Sequence, residues 1–333
     1  MAATIKDIAK KTGLGLATIS SYLNGGNVRE QNRLKIEKAI EELHYEVNEV
    51  ARGLKTNRTK LIGILIPELN NIFCAEIITE VEDILRSHGY ATMICDCRTD
   101  ANREIEAIEF LKKRRVDGVI VMPSGSKGKH FEKLIRAGIP VVLLDRKLDD
   151  IECDCVLVDN KEGAKGAVER LIRAGHQKIG MITGPSDVFT AKERLLGYYE
   201  ALRDANIERD NRLISYNDYT IKGGMAGLRK LVEENPEMTA VFVSNYELTM
   251  GVVIEANELN LSIPEQLSVV GFDNVEFARA CVPKLSIVSQ PTKEIAEKLA
   301  EIMLDRLEHE NERTNLIVKL PTGFVEGKSI KRR

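Results

Sequence analysis

The sequence contains no stretch of about eighteen consecutive apolar residues, the minimum for a helix that crosses a bilayer, so no membrane partner is expected. Its opening, MAATIKDIAKK, has no apolar segment behind the charges to serve as a secretion signal, which points to a cytoplasmic protein. The common catalytic motifs are missing too. The nearest approach to G-x-x-x-x-G-K-[ST], SGSKGKH at 124–130, has two residues rather than four between its glycines and His130 where a hydroxyl is required. No strand leads into G-x-G-x-x-G, and neither G-x-S-x-G nor a metal-spaced histidine pair occurs. Histidine is scarce: the five residues, among them His44, His88 and His176, are scattered near helix ends, where a capping role is the simplest reading. These absences speak against an enzyme, and no catalytic residue, metal or cofactor is expected.

Cysteine is sparse but patterned. Two of the C-x-C pairs that a soft metal favours are present, Cys95 with Cys97 and Cys153 with Cys155. Each pair lies in or beside an apolar, strand-like run, and in a reducing compartment a free cysteine there behaves as a small buried hydrophobe.

The 333 residues exceed what one hydrophobic core usually organises, which argues for two or three domains. With 43% hydrophobic and 30% charged residues, the chain has the composition of an ordinary globular protein. Its net charge of −3 is unevenly spread, because residues 1–60 carry eleven Lys and Arg against seven Asp and Glu. That segment is therefore at +4 and the remainder at −7. A polyanionic partner is possible for the first domain only.

The chain opens with a helical pattern. Thr4 and Asp7 have capping-box spacing, and Ile5, Ile8 and Ala9 share a face before Gly13 ends the helix. A second helix from about Gly15 buries Ile19 and Leu23, turns Leu16, Ala17, Ser20 and Ser21 elsewhere, and stops at Asn24-Gly25-Gly26. A third from about Glu30 is expected to face Leu34, Ile36, Ala39, Ile40 and Leu43 inward. The period then changes. Apolar strands at 61–66, 91–95, 117–122, 140–145, 178–183, 240–244 and 267–273 alternate with helical stretches, including about 161–174, 189–205, 221–233 and 246–259. This is the rhythm of βαβ units in two doubly wound, parallel-sheet α/β lobes behind a helical head.

Ligands of open α/β sheets lie beyond the carboxyl ends of the strands. The residues expected there are Asn70, Asn71 and Phe73; Asp145 and Arg146; Gly184-Pro185-Ser186; Ser244-Asn245-Tyr246; and Gly271-Phe272-Asp273-Asn274. With Arg194 nearby, short polar groups and scattered aromatics suit a polyhydroxylated or heterocyclic molecule. For each residue alone, capping a loop is an equally good explanation.

TIKDIAKKTGLGLATISSYLNG, followed by IEKAIEELHYEVNEVARGLKTNRTKLIGILIPELNNIFCAEI, closely resembles the lactose-repressor (LacI) family of transcription regulators. The fragments VLVDNKEGA, AGHQKIGMITGP, RLLGY, LSVVGFDN and LSIVSQP follow in the family's order, so the resemblance runs from about Thr4 to Glu326. It implies a helix-turn-helix head (1–47), a hinge helix and linker (48–59), and a core similar to periplasmic sugar-binding proteins (60–333). The N-lobe would span about 60–160 and 291–320, and the C-lobe about 161–288 and 322–333. The expected function is that of a repressor, binding double-stranded palindromic operator DNA as a homodimer under the control of a small-molecule effector, a sugar or sugar derivative, in the interlobe cleft.

By matched position, Leu16, Ala17 and Ser21 would face bases, while Thr4, Lys6, Thr18, Ser20 and Asn24 would contact phosphates or brace the docking. Leu54 would enter the minor groove at the operator centre, with Arg52 lining the groove and Lys55 near phosphates. Arg194 and Asp273 would hydrogen-bond the effector between walls formed by Phe73 and Tyr219, with Asp145 and Asn245 at the same site. The sequence departs from the family at Gly15, usually serine, at Ser21, usually arginine, and at Tyr246, where S-N-D is usual. A phosphorylated effector attracted by Arg146 and the loop Ser126-Lys127-Gly128-Lys129 is the less favoured variant. The competing class, a solute receptor of the periplasmic type, shares the core but lacks the head.

Overall fold

The computed structural model describes residues 3–23, 25–45, 58–125, 127–148, 150–309 and 314–333. Asn24, Ser126 and the hinge positions Arg52, Leu54 and Lys55 lie outside the described residues. The chain divides into two units, Met1–Thr59 and Lys60–Arg333.

The first unit holds α1 (Ile5–Thr12), α2 (Leu16–Leu23) and α3 (Glu30–Leu43). At the start of α1 the Thr4 amide and hydroxyl donate to Asp7 Oδ2 at 2.8 and 2.7 Å, which holds the Asp7 carboxyl below its ordinary range. Gly13 ends the helix in the left-handed region (φ 69°), returning its N–H to the Ala9 carbonyl. Ile8, Ile19, Ile36 and Ala39 form the buried core, and Tyr22, Leu23, Ile40 and Leu43 pack around it. Leu34, expected inward, is exposed. The inward stripe of α3 begins at Ile36, and at 3.6 residues per turn Leu34 sits about 200° away from it.

The second unit contains two six-stranded sheets. The first lobe runs β1 (Leu61–Ile66), α4 (Ile72–Ser87), β2 (Ala91–Asp96), α5 (Ala101–Lys113), β3 (Gly118–Val121), α6 (Glu132–Ile135), β4 (Val141–Leu144) and β5 (Asp154–Val158). The second runs α7 (Asn160–Arg173), β6 (Ile179–Thr183), α8 (Phe189–Asp204), β7 (Ile214–Tyr216), α9 (Ile221–Glu234), β8 (Ala240–Val243), α10 (Tyr246–Glu258), β9 (Ser268–Phe272), α11 (Val275–Ala280) and β10 (Ser286–Ser289). The chain then returns to the first lobe as α12 (Thr292–Glu308) and β11 (Ile317–Leu320), and ends in the second with β12 (Gly323–Val325).

Strand order is β11-β5-β4-β3-β1-β2 in one sheet and β12-β10-β9-β8-β6-β7 in the other. All pairs are parallel except β12 on β10. Helices cover both faces, so β3, β4, β6, β8 and β9 are buried at every residue, which is why they read as continuous apolar runs. The chain crosses between lobes after β5, after β10 and between β11 and β12, and these crossings frame the cleft. Among the described residues no helix is long and apolar enough to cross a membrane.

The two C-x-C pairs sit in different strand regions. Cys95 is on β2 with Cys97 just past its end, and Cys153 and Cys155 are at β5, with β1, β3 and β4 between them in the sheet. Burial pushes the thiols of Cys97 and Cys153 up to about 12, the behaviour of structural rather than reactive cysteines.

Candidate functional site

In the head, α2 carries no charged residue, so nothing on its outer face ties it into salt bridges. Leu16 and Ala17 are exposed, and Thr18, Ser20 and Ser21 are half-buried. Ser21 borders the turn that follows: its carbonyl accepts the Gly26 N–H at 2.8 Å, and a Cβ on Gly26 would stand 2.5 Å from Ser21 Oγ. Tyr22 donates to Glu37 at 3.0 Å, and Arg33 donates to the same carboxylate at 3.1 Å, which docks α2 on α3. Thr4 and Lys6 are exposed at the start of α1.

In the core, a cavity of about 370 Å³ opens between the lobes at the carboxyl ends of the strands. Phe73, Asp145, Arg194, Tyr219, Asn245 and Asp273 all line it, so the fold brings together six residues that the sequence spreads over two hundred positions. Asp145 after β4 and Asp273 after β9 both adopt left-handed backbone conformations, φ 64° and 68°. Such a kink is tolerable for aspartate, and it brings the side chain to the strand end.

Arg194, buried on α8, organises the second-lobe wall. Its Nε donates to Asn160 Oδ1 at 2.8 Å, Nη1 donates to the Ser244 carbonyl, and the guanidinium stacks 3.7 Å from the Phe272 ring centroid. Asp273 Oδ2 lies 4.0 Å from Nη1. Tyr219 lies against the backbone of Gly184, where a Cβ would be 2.2 Å from the tyrosine Cζ; the glycine is what lets the ring form this wall. Asn245 has a second task, because its Oδ1 caps α10 by accepting the Leu248 N–H at 3.0 Å.

Burial pushes the Asp145 carboxyl up, opposed by Arg194 and Arg146. Burial likewise lifts Asp273 to about 6, against Arg194 and the Gln290 hydrogen bond that favour its charge, with Asp145 and Glu76 adding repulsion. Four buried polar atoms on the cavity-lining residues, Asp145 Oδ1, Arg146 Nε, the Tyr219 hydroxyl and Gln290 Oε1, have no hydrogen-bond partner among the described residues. A buried polar atom left this way costs about 1 to 3 kcal/mol, a cost that a ligand supplying the partner removes.

Glu68, Thr190, Asp218 and Gln290 also line the cavity and escaped the sequence reading. Gln290 is at the crossing after β10, and only its position after the apolar run LSIVS marks it. The lysines of the 126–129 loop are not on the wall, and the Gly128 and Lys129 amides are already taken by Asp150 at 2.7 and 3.2 Å. Arg146 is the one member of that phosphate-binding expectation that reaches the cavity, with Nη1 held by the Pro123 carbonyl at 2.6 Å.

Residues 4–48 match the model of bacterial regulatory proteins of the lacI family, and residues 168–330 match that of the periplasmic binding protein-like domain. An HTH-type transcriptional repressor PurR from Vibrio atlanticus is 32% identical, covering 99% of both chains. A ribose operon repressor from Haemophilus influenzae is 33% identical over 96% of each. Among solved structures, a complex of the transcriptional regulator CelR with cellobiose superposes with a TM-score of 0.76 at 29% identity, covering 98% of this chain and 99% of the other. With a helix-turn-helix head ahead of a two-lobed core and full-length repressors as relatives, the chain belongs to the LacI family and is a DNA-binding transcriptional repressor, not an enzyme.

Proposed function

We propose that the protein binds a palindromic operator as a homodimer and that a neutral sugar or sugar derivative in the interlobe cleft controls its affinity. The observation that carries the effector reading is the set of unpartnered polar atoms around the cavity, on Asp145, Arg146, Tyr219 and Gln290, beside the rings of Phe73 and Tyr219. Hydroxyls that donate and accept, on a molecule with an apolar face, match that lining. The charge of the wall favours a neutral ligand. Glu68, Asp145, Asp218 and Asp273 outnumber Arg146 and Arg194, and both guanidiniums are already engaged by groups of the chain. The ribose operon repressor and the cellobiose complex among the relatives support a sugar over a sugar acid.

On the DNA side, Leu16, Ala17 and Ser21 read bases from the major groove, while Thr4, Lys6, Thr18, Ser20 and Asn24 contact phosphates or steady the head. Leu54 wedges into the minor groove, with Arg52 along the groove and Lys55 near phosphates. The dimer rests on the full-length repressor relatives rather than on a single apolar patch. The two half-sites of a palindrome then mirror the dimer axis.

The test is a panel of neutral sugars, sugar phosphates and purines screened by thermal shift and by release or retention of operator. A neutral sugar that alters both signals, with the response lost in Asp273→Ala, is the expected result. A response to phosphates or purines alone would overturn the sugar reading.

A further inference from the structure

One carboxylate outside the residues assigned above ties the two lobes together. Glu247, in the first turn of α10, accepts the Asn71 side-chain amide on Oε1 at 2.8 Å and the Asn245 amide on Oε2. Asn71 belongs to the first lobe and caps α4, its Oδ1 accepting the Cys74 N–H at 3.1 Å. Asn245 caps α10 through Leu248. A continuous chain of hydrogen bonds thus joins the N-terminus of α4 in one lobe to that of α10 in the other. It runs beside a second cavity of about 200 Å³, and Asn71 lines both this and the larger one.

We propose that Glu247 is a positioning residue for cleft closure: with Asn71 it forms a latch that sets the balance of open and closed lobes before any effector enters, and its protonation shifts that balance. The regulatory meaning of closure rests on the function proposed above; the latch itself belongs to the effector-free chain.

The surroundings give the sign. Glu68 from the loop after β1, Cys74 and Glu76 on α4, Tyr246 on α10, Asp273 after β9 and Glu276 on α11 are the titratable groups around Glu247. Every one of them is an acid, and the cations of the adjoining wall, Arg194 and Arg146, are turned to Asp273 and the Ser244 carbonyl and to the Pro123 carbonyl. Closing the cleft therefore withdraws a carboxylate from water into acidic company. Burial raises Glu247 from 4.5 to about 7, the charges of Asp273 and Glu68 adding to it while its own backbone N–H and Asn71 oppose it. With the lobes apart the group is rehydrated and its affinity for a proton falls. Closure takes up a proton, so the closed form gains as pH falls from about 7 toward 4.5, by roughly a few hundredfold at most, and the balance is flat above that window.

Small-angle X-ray scattering of the effector-free full chain on either side of pH 7 tests this. The wild-type radius of gyration should fall on the acid side. Glu247→Gln, which keeps the size of the side chain but does not titrate, should lose the pH step, and Asn71→Ala should be more open at every pH. An unchanged wild-type radius, or a step that survives in Glu247→Gln, would overturn the proposal. If the step is present but no sugar alters operator binding, the latch stands and the effector reading fails.

Discussion

At the scale of single residues, Asp273 carries opposing demands. Its folded pKa of about 6 lies above the ordinary 3.8, so the native state resists its ionisation. The associated stability is full at low pH and is lost as pH rises through the interval between those values. Asp273→Asn retains an oxygen for the Gln290 amide. It should stabilise the effector-free protein by about 1 to 2 kcal/mol at neutral pH and by nothing near pH 4, while abolishing the sugar response. Chemical denaturation at the two pH values is the check, and equal gains at both would exclude this cause.

Ser21 lends itself to a gain-of-function test. Serine makes no bidentate contact with guanine, whereas Ser21→Arg should add a guanine preference worth about 1 to 3 kcal/mol in a selection from randomised half-sites. Phe73, Asp145, Asn245 and Asp273 were legible as cavity residues because strand ends in α/β sheets concentrate ligand contacts, whereas Tyr219 entered through the family resemblance alone and Arg194, on a helix, chiefly through it. Glu247 was not legible, since an acid in the first turn of a helix reads as an ordinary dipole partner and its bond to Asn71 spans 176 positions.

At the scale of elements, burial accounts for only part of what was legible. β3, β4, β6, β8 and β9, covered on both faces, declared themselves as apolar runs, and so did the edge strand β2, whereas β5, buried at every residue but interrupted by Asp154 and Cys155, and the four-residue β10 fall outside the expected strands. β7, β11 and β12 are short edge strands, and β11 alternates between exposed and half-buried residues. Their places depend on chain crossings that local pattern does not encode. Leu34 failed for the opposite reason, being apolar but off the stripe.

The pairing of α9 with α10 was equally hidden. A Cβ on Gly251 would lie 2.1 Å from the Ile221 carbonyl, and one on Gly224 would lie 2.3 Å from that of Leu248, so these helices meet backbone to backbone. Gly251→Ala must push them apart. It should cost about 1 to 3 kcal/mol or more, and because α10 begins at the Asn245 cap it should also weaken effector binding. A thermal melt and a binding isotherm on the variant measure both effects. Unchanged melting would mean that the two helices do not pack this closely.

For the whole molecule, the decisive feature is the division of charge: +4 on residues 1–60 and −7 on the remainder. An acidic core repels a polyanion, so operator attraction has to come from the head and hinge together and should show the steep salt dependence of counterion release. For about six to ten phosphate contacts that is a loss of roughly 10³ to 10⁵ in affinity between about 50 and 200 mM salt. Lys6→Ala should flatten the slope by about one unit for each head and weaken all sequences alike. The effector site obeys a different rule. Its arginines are held by groups of the chain, Asp145 is buried, and a neutral sugar displaces no ions when it binds. Effector affinity should therefore change by less than about twofold over the salt range in which operator binding collapses. Calorimetry on the same preparation measures the first quantity and filter binding the second. If effector affinity fell with salt as steeply as operator affinity, the ligand would have to be an anion, Arg146 its counter-ion, and the neutral-sugar assignment would have to be abandoned.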